Sequence, residues 1–287
     1  MIFQAKDRVV KLRNRVLVMG ILNVTPDSFS EQGLNFSPEV AVKNGLKMIH
    51  NGADIIDIGG ESTRPGADPV TVQEEISRIT PVLRELRKRS DTIISIDTYK
   101  ADVARTALEY GADIINDISG FHREDTMKNV AKEFNAGCIV MHMRGTPETM
   151  QDDIIYDDII GDLIDYFRRT ITMLLDAGIK KEFICLDPGI GFSKTTEQNL
   201  YLINNLSIFS RLGHPLLIGP SRKSFIGNVL NIDRPKDRLW GTAAAVCCAI
   251  YRGANIIRVH DIEEMHQVCE MTNAILSSEM IKREHQS

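Results

Sequence analysis

Short apolar runs alternate with longer amphipathic stretches along almost the whole chain. The runs are rich in β-branched residues and are too short for helices, which predicts buried strands. We count eight of them, at residues 16–22, 55–58, 93–96, 114–118, 138–141, 183–186, 215–218 and 256–259. The stretches between them predict helices, among them 74–87, 101–110, 154–175, 198–212, 238–252 and a last helix capped by Asp261. The pattern predicts alternating strand–helix units.

One phrase repeats where a predicted helix gives way to a strand. It reads GADII at 52–56 and again at 111–115, and GANII at 253–257. A glycine at this place is typical of a helix end, and the apolar pair begins the next strand. Eight such units in 287 residues favour a (β/α)8 TIM barrel over a doubly wound open sheet. Because composition shows no break, we predict a single domain over 1–287, with the barrel at about 14–280 and a polar tail at 282–287.

Composition and charge narrow the function classes. Hydrophobic residues make up 43% of the chain, and the net charge of -5 argues against nucleic acid or an acidic membrane surface as a partner. No apolar run approaches the length of a membrane span, and the N-terminus lacks the apolar centre of a signal peptide, so we expect a cytoplasmic protein. The five cysteines form no C-x-x-C pair and are expected to be buried free thiols.

Polar residues stand at the carboxyl ends of the predicted strands. In a TIM barrel these ends meet at one face, where the chemistry takes place. Any one of these residues could be a helix cap or a satisfied core group, but together they predict a ring around the barrel opening. Its members are Asn23, Asp57, Asp97, Asn116, His142, Asp187, Ser221 with Lys223, and Arg258 with His260.

The ring contains two kinds of chemistry. Carboxylates and an amide suit a ligand edge with several N–H donors, such as a pterin or a purine-like heterocycle; they are Asp97, Asn116 and Asp187. Cationic side chains suit phosphate groups; they are Arg64, Lys223, Arg258 and His260. The glycine-bearing segment 218–227 could hold an anion at the start of the helix that follows it. The ring therefore predicts a site for a heterocycle joined to an anion.

Four segments resemble the signatures of the dihydropteroate synthase family. They read NVTPDSFS at 23–30, GGESTRPG at 59–66, DPGIGF at 187–192 and SRKS at 221–224. The resemblance implies a (β/α)8 barrel, usually a homodimer, that acts as a transferase in folate biosynthesis. Such an enzyme joins 4-aminobenzoate to 6-hydroxymethyl-7,8-dihydropterin diphosphate, with Mg²⁺ present, and releases 7,8-dihydropteroate and diphosphate. Sulfonamides compete for the aminobenzoate position.

The resemblance also implies roles for individual residues. The pterin would be held by Asp97, Asn116, Asp187 and Lys223. The diphosphate would be held by Asn23, Arg64, Arg258 and His260, with Asn23 also touching Mg²⁺. The aminobenzoate site would comprise Thr63, Arg64, Pro65, Phe192 and Ser224. One departure from the family pattern, Glu31-Gln32-Gly33 after the first motif, concerns the mobility of that loop.

The expected mechanism is displacement of diphosphate from the pterin methylene along a dissociative path. Charge on the leaving group would be stabilised by Mg²⁺, Arg64, Arg258 and His260, and Asp27 would shield the cation left behind. Together with Lys223, these residues are the predicted catalytic set. The aromatic amine is neutral near pH 7, so no strong general base is required.

Two other functions stay open from the sequence. One is the pterin-binding domain of a corrinoid methyltransferase, and the other is a pterin-binding paralogue without activity. The remaining polar residues have structural explanations: acidic pairs at 152–153 and 157–158 as a solvated helix start, and His142 inside the barrel, with a weaker case for His142 in the site. Surface positions are expected for His50, His122, His214 and His266.

Overall fold

Eight parallel strands form a barrel, and a small antiparallel hairpin precedes it. The structure is a computed structural model that describes residues 1–12, 15–25, 37–62, 68–146, 149–150 and 154–284. The hairpin consists of β1 (Ile2–Ala5) and β2 (Arg8–Lys11). The barrel strands are β3 (Leu17–Asn23), β4 (Ile55–Gly59), β5 (Ile93–Asp97), β6 (Ile114–Asp117), β7 (Gly137–Met141), β8 (Ile184–Asp187), β9 (Leu217–Ile218) and β10 (Ile256–Val259).

The strand order shows a TIM barrel. Parallel pairing runs β8-β7-β6-β5-β4-β3-β10-β9, and a bridge between Leu186 and Leu216 joins the two ends. Helices cover the outside: α1 (Pro38–His50), α2 (Val72–Arg89), α3 (Ala101–Glu109), α4 (Met127–Phe134), α5 (Ile159–Asp176), α6 (Thr196–Asn204), α7 (Ser224–Leu230), α8 (Leu239–Tyr251) and α9 (Ile262–Glu284). All eight predicted strands are present, and the predicted (β/α)8 fold is confirmed.

The repeated phrase marks the junction between helix and strand. Its glycines Gly52, Gly111 and Gly253 have φ near 100°, a conformation that side chains disfavour. The polar residue two positions later accepts a backbone N–H from the neighbouring strand. Asp54 accepts from Val18 at 2.9 Å, and Asp113 accepts from Ile94 at 2.9 Å. The phrase therefore ends one helix and fixes the register of the next strand.

Two helices differ from the prediction at their ends. The helix predicted from residue 154 begins at Ile159, because the Asp158 side chain accepts the N–H of Gly161 and caps the helix. This agrees with a helix start for the acidic pair at 157–158. The helix predicted over 198–212 stops at Asn204 and continues as a 3₁₀ helix over Leu206–Leu212. At this change the Asn205 backbone N–H is shared between the Tyr201 and Leu202 carbonyls, each at 3.1 Å, and its side-chain amide also donates to Tyr201.

The N-terminal end of the barrel is apolar and closed by the hairpin. Inward side chains from the early part of each strand pack together with residues of the hairpin. Phe3 is fully buried, and a Cβ on Gly137 would lie 2.9 Å from its ring. Lys6 at the hairpin turn donates to the Leu108 carbonyl at 2.9 Å. The sequence pattern did not predict this hairpin, because its alternation lasts only four residues in each strand.

Some positions differ from the expected burial. His214 was expected at the surface but is only 3% exposed, with Nδ1 near the Ile184 carbonyl. Cys247 and Cys248 are exposed on α8, whereas Cys138, Cys185 and Cys269 are buried; all five are free thiols. The α8 pair is exposed because both residues lie on the outer side of an apolar helix. Across the described ranges, no helix is long and apolar enough to cross a membrane.

Candidate active site

Arg258 is the centre of a buried charge cluster at the C-terminal end of the barrel. It lies on β10, and its Nε donates to Asp57 of β4 at 2.6 Å while Nη2 donates to Asp97 of β5 at 2.6 Å. Asn116 of β6 donates its side-chain amide to the same Asp57 oxygen at 3.1 Å. Although burial acts against it, the two carboxylates raise the pKa of Arg258 above its usual value. Four strands thus bring their polar ends to one point.

Two carboxylate oxygens of this cluster have no hydrogen-bond partner among the described residues. They are Oδ1 of Asp57 and Oδ1 of Asp97, and both are buried. Burial raises the pKa of Asp97 to about 7, with the Asp57 charge adding and the Arg258 charge opposing. A buried acceptor without a donor is unfavourable unless a ligand supplies the donor. The cluster is therefore suited to bind a ligand edge with N–H groups.

Asp187 and Lys223 extend this polar surface from β8 and from the loop after β9. Asp187 accepts the N–H of Gly189 at 2.8 Å, and burial raises its pKa to about 6. Lys223 is half-buried, and burial with the Arg258 charge lowers its pKa to about 8. Its ammonium lies 3.9 Å from the centre of the Phe192 ring. A Cβ on Gly191 would lie 2.7 Å from the Lys223 side chain, so this close packing requires glycine.

A third group of polar side chains adjoins the cluster. The Ser221 hydroxyl lies 3.0 Å from Nδ1 of His260 and accepts the His260 backbone N–H at 3.2 Å. Asn23 ends β3 opposite Gly59, where a Cβ would lie 3.7 Å from both Asn23 Oδ1 and Asp97 Oδ2. The absence of a side chain at Gly59 leaves Asn23 and Asp97 open to each other. An imidazole, a hydroxyl and an amide here could contact an anion beside the heterocycle surface.

Comparison with known proteins agrees with this chemistry. Residues 19–260 match the pterin binding enzyme family. A dihydropteroate synthase from Synechocystis sp. is 50% identical over 261 residues, which cover 91% of this chain and 90% of the relative. The chain belongs to the dihydropteroate synthase family. Members of this family are transferases, so the chain is an enzyme of that class.

Solved structures of dihydropteroate synthases share the fold over nearly the whole chain. A Yersinia pestis enzyme with a sulfonamide drug has a TM-score of 0.91 at 40% identity, covering 96% of this chain and 100% of that one. A Xanthomonas albilineans enzyme with 4-aminobenzoic acid has a TM-score of 0.90 at 37% identity, covering 96% and 98%. These relatives set aside the corrinoid methyltransferase alternative.

The structure brings together most of the residues that the resemblance to dihydropteroate synthases singled out. Arg258 contacts Asp97, Lys223 contacts Phe192, and His260 contacts Ser221. Ser224 begins α7 next to Lys223 and is exposed. Asp27, Thr63, Arg64 and Pro65 lie outside the described residues, as do Glu31-Gln32-Gly33 and the acidic pair at 152–153.

Asp57 makes more contacts with other site residues than its place in the predicted ring indicated. It was placed in the ring without a ligand, yet it binds both Arg258 and Asn116 and is fully buried. The available signal was its position two residues before the Gly59 end of an otherwise apolar strand. An inward carboxylate one layer below the strand end is suited to orient the ligand-binding side chains above it.

Lys194 is a buried lysine that the sequence analysis missed. Its ammonium donates to the Gly189 carbonyl at 3.1 Å and the Phe192 carbonyl at 2.9 Å, and it lies 3.2 Å from Nδ1 of His142. Burial lowers the pKa of Lys194 to about 7, and burial together with the Lys194 charge lowers the pKa of His142 well below its usual value. Lys194 thus ties the loops after β7 and β8 to each other.

A second buried network supports the segment after β4. Lys100 binds Glu61, donates to Glu75 at 2.7 Å and donates to the Val70 carbonyl at 2.6 Å. The Tyr99 hydroxyl also donates to Glu61. Residues 61 and 70 flank the segment that contains Arg64. The network therefore fixes Glu61 and Val70, on either side of that segment.

Proposed function

We propose that this chain condenses 4-aminobenzoate with 6-hydroxymethyl-7,8-dihydropterin diphosphate, giving 7,8-dihydropteroate and diphosphate. The observation that carries the proposal is the pair of unpartnered, buried carboxylate oxygens on Asp57 and Asp97 beside Arg258. An aminopyrimidine edge presents N–H donors to such acceptors. The family of the chain and the ligands named in related structures support the same reaction.

The pterin is assigned to the cluster around Asp97. Asp97 and Asp187 accept N–H groups of the heterocycle, Asn116 contributes its amide group, and Lys223 donates to a ring acceptor. The exposed fractions of the two carboxylates are 7% and 6%, so bonds to them form with little competition from water. The half-buried Lys223 ammonium also covers the Phe192 ring. This arrangement supports pterin binding between β5, β6, β8 and the loop after β9.

The aminobenzoate is assigned to the side of Lys223 that faces Phe192 and Ser224. Thr63, Arg64 and Pro65 complete this part of the site through the family resemblance. Sulfonamides are proposed to bind in the same place, as the related Yersinia pestis complex suggests. The short distance between the Lys223 ammonium and the Phe192 ring supports an apolar slot closed by a cation.

Departure of diphosphate is assigned to the cationic side of the site. Arg258 and His260, with Arg64, stabilise the negative charge that develops on the leaving oxygen. The electron-rich dihydropterin delocalises the positive charge on its methylene, which makes a dissociative path favourable, and Asp27 is assigned to shield that charge. The neutral aromatic amine then attacks the methylene carbon and forms the C–N bond, and its surplus proton passes to the released diphosphate or to water. Positioning and fixed charges supply the rate acceleration without a strong base.

Mg²⁺ is proposed to enter with the diphosphate. Mg²⁺ in phosphate-transfer sites takes one or two protein oxygens and fills the rest of its coordination with phosphate oxygens and water. Asn23 offers one such oxygen at the end of β3, opposite Gly59. Within the described ranges, no group of three or more His, Cys, Asp or Glu is arranged to hold a metal. The donor set therefore fits an ion bound to the diphosphate, whose chemistry is to neutralise leaving-group charge.

The deciding experiment is an assay of purified protein with dihydropterin diphosphate and Mg²⁺, with and without 4-aminobenzoate. We expect diphosphate release that depends on aminobenzoate and yields dihydropteroate. Tight binding of the pterin diphosphate without product would instead identify an inactive paralogue. Absence of pterin binding would contradict the assignment of the Asp97 cluster.

A homodimer is also proposed, with its interface on the α6–α9 side of the barrel. A groove of about 640 Å³ on this side is lined by large apolar side chains that are between 44% and 67% exposed. They are Leu200, Val229, Leu230, Tyr251 and Ile275. An apolar surface of this kind on a soluble chain is typical of an interaction site, and a second copy offers the same apolar face in return.

Light scattering after size exclusion tests the dimer. The wild-type protein is expected at twice the chain mass, and Ile275→Glu is expected to shift it toward the monomer. Ile155, which is 77% exposed outside this groove, provides the matched control Ile155→Glu. A wild-type monomer, or equal effects of both variants, would contradict the proposed interface.

The cytoplasmic location remains a prediction from the sequence.

A further inference from the structure

Arg222 lies between two residues of the proposed site, Ser221 and Lys223. Its φ is 59°, in the left-handed region that residues with a Cβ rarely adopt. A strained residue of this kind persists only where surrounding contacts hold it in place. Its side chain binds Asp261, which is not part of the pterin cluster.

The backbone of Arg222 is held from α8. Its N–H donates to the Thr242 hydroxyl at 3.1 Å, and Thr242 is fully buried. Its carbonyl accepts from Arg238 at 2.9 Å. Arg238 also donates to the Ile232 carbonyl at 3.0 Å, just after α7. These contacts hold the backbone of Arg222 in its left-handed conformation.

The side chain of Arg222 is held by Asp261, which lies between β10 and α9. Its guanidinium binds both carboxylate oxygens of Asp261, with Nε 3.1 Å from Oδ2 and Nη2 bonded to Oδ1. Only 26% of the Arg222 side chain and 17% of the Asp261 side chain are exposed. Two-point pairing of this kind fixes geometry as well as charge. Asp261 was expected to cap α9, and its backbone oxygen does accept the N–H of Met265, but its carboxylate is bound to Arg222.

The ion pair lies beside a second contact between the same two segments. Ser221 and His260, the residues that precede Arg222 and Asp261, are joined by the 3.0 Å contact between hydroxyl and imidazole. The loop after β9 and the end of β10 are therefore linked at two consecutive positions. Lys223 follows directly on one segment, and Arg258 lies two residues before His260 on the other. Any slip between the segments would separate Lys223 and Ser221 from Arg258 and His260.

We propose that Arg222 and Asp261 are positioning residues that hold the Ser221–Lys223 segment in register with His260. With this register, Lys223 contacts the pterin of a substrate while Ser221, Arg258 and His260 contact the diphosphate of the same substrate. This inference rests on the proposed function of the site. The diphosphate group raises the affinity for the substrate, and this gain depends on the Arg222–Asp261 ion pair, although neither residue contacts the substrate.

The experiment compares two ligands, 6-hydroxymethyl-7,8-dihydropterin and its diphosphate with Mg²⁺, by titration calorimetry. Arg222→Met and Asp261→Asn are each expected to lower the affinity for the diphosphate form by about tenfold, the effect of losing a charged hydrogen bond. Affinity for the pterin alone is expected to fall by a clearly smaller factor, because only Lys223 among its proposed contacts lies on the displaced segment, while Asp97, Asn116 and Asp187 lie on other strands. The double variant is expected to show no further loss, because either change alone removes the pair. Arg222→Lys is expected to recover part of the loss.

Controls separate this inference from a general loss of structure. Arg105 forms a similar two-point pair with Glu133 on the outer helices, so Arg105→Met should change neither affinity. Equal loss of both ligands, additive losses in the double variant, or an unchanged diphosphate affinity would overturn the positioning role. If Arg222→Met does not fold, Asp261→Asn gives the same comparison. If the wild type binds neither pterin, the proposed function fails, and binding of inorganic diphosphate to wild type and Asp261→Asn still decides the role of the pair.

Discussion

The two ends of the barrel use aspartate in opposite ways. At the N-terminal end, Asp54 and Asp113 accept backbone N–H groups from the adjacent strands, and Asp113 also binds Arg87 at 2.7 Å. At the C-terminal end, Asp57 and Asp97 each keep one buried oxygen without a partner among the described residues. Satisfied carboxylates stabilise the fold, whereas unsatisfied ones reduce its stability and are available to a ligand. The presence of an aspartate does not show whether it stabilises the fold or binds a ligand. The number of hydrogen-bond partners that its carboxylate oxygens have does show this.

The surroundings of these aspartates differ in the same way. Phe3 and the first inward residues of the strands pack into a dry cluster that closes the N-terminal end. The opposite end holds Arg258, Lys223 and two carboxylates whose pKa values are raised by burial. One end is built by apolar contact and the other by fixed charge. Variants at the two ends should therefore separate stability from activity.

The largest effect is expected from truncation at the C-terminal end. Lys223→Ala and Asp187→Ala should each lower kcat/KM by about a hundredfold to a thousandfold, because each removes a fixed charge from the substrate site. The melting temperature should stay close to that of wild type. Lys6→Ala, at the opposite end of the barrel, serves as the control. It removes a partly buried hydrogen bond to the Leu108 carbonyl and should leave kcat and KM unchanged. Wild-type turnover in either site variant would remove these residues from the mechanism.

The hairpin variant Phe3→Ala should give the reverse result. Phe3 is fully buried, and such a truncation lowers the free energy of unfolding by about 3–5 kcal/mol. Denaturant unfolding measures this loss, and kcat and KM well below the melting temperature should match wild type. Ile2→Ala, at a side chain that is 47% exposed, should change the unfolding free energy by far less. A drop in activity without a drop in stability would contradict the separation of the two ends.

Replacing aspartate by asparagine should change the free energy of unfolding in opposite directions at the two ends, by less than the hairpin variant does. Asp113→Asn should destabilise the fold because it removes the charge that pairs with Arg87 and Arg8. Asp97→Asn should stabilise the fold at pH 8, because the neutral amide avoids the cost of burying an ionised carboxylate, which the raised pKa of Asp97 reflects. The pKa of Asp97 rises from 3.8 to about 7 on folding, so its ionisation destabilises the folded state increasingly from pH 4 to pH 7.

Unfolding measured across that pH range tests the contrast. The advantage of Asp97→Asn over wild type should be absent near pH 4, grow as the pH rises and become constant above pH 7. The variant should also bind the pterin poorly, because Asp97 no longer offers a charged acceptor. A stability difference that is independent of pH, or two destabilised variants, would show that Asp97 is as satisfied as Asp113.

The smallest effect concerns the pH dependence of pterin affinity. Asp187 must be ionised to accept the pterin N–H groups and has a pKa of about 6, and Lys223 must be charged and has a pKa of about 8. Asp97 must also be ionised and has a pKa of about 7, so affinity should be highest between about pH 7 and pH 8 and should fall on either side of this range. Fluorescence titration of hydroxymethylpterin would show both limits. Lys223→Arg should remove only the loss of affinity at high pH. A flat affinity profile from pH 5 to pH 9 would show that these groups do not titrate in the free site.

The sequence by itself determined the fold class and the membership of the ring. Strand and helix periods are local, and so is the polar residue at the end of an apolar run, so eight units and most of the binding residues could be located along the chain. The repeated phrase could be located for the same reason, although the bond from Asp54 to Val18 crosses 36 positions and needed the sheet.

Only the tertiary structure decided which members of the ring contact one another. Arg258 binds Asp57 across 201 positions and Asp97 across 161, and no pattern within either strand predicts that choice. The same holds for the hairpin that closes the opposite end, for Lys194 between two loops and for Arg222 with Asp261. Partner choice and burial depend on how distant segments pack, and they set the pKa values and the unsatisfied oxygens that make this end of the barrel reactive.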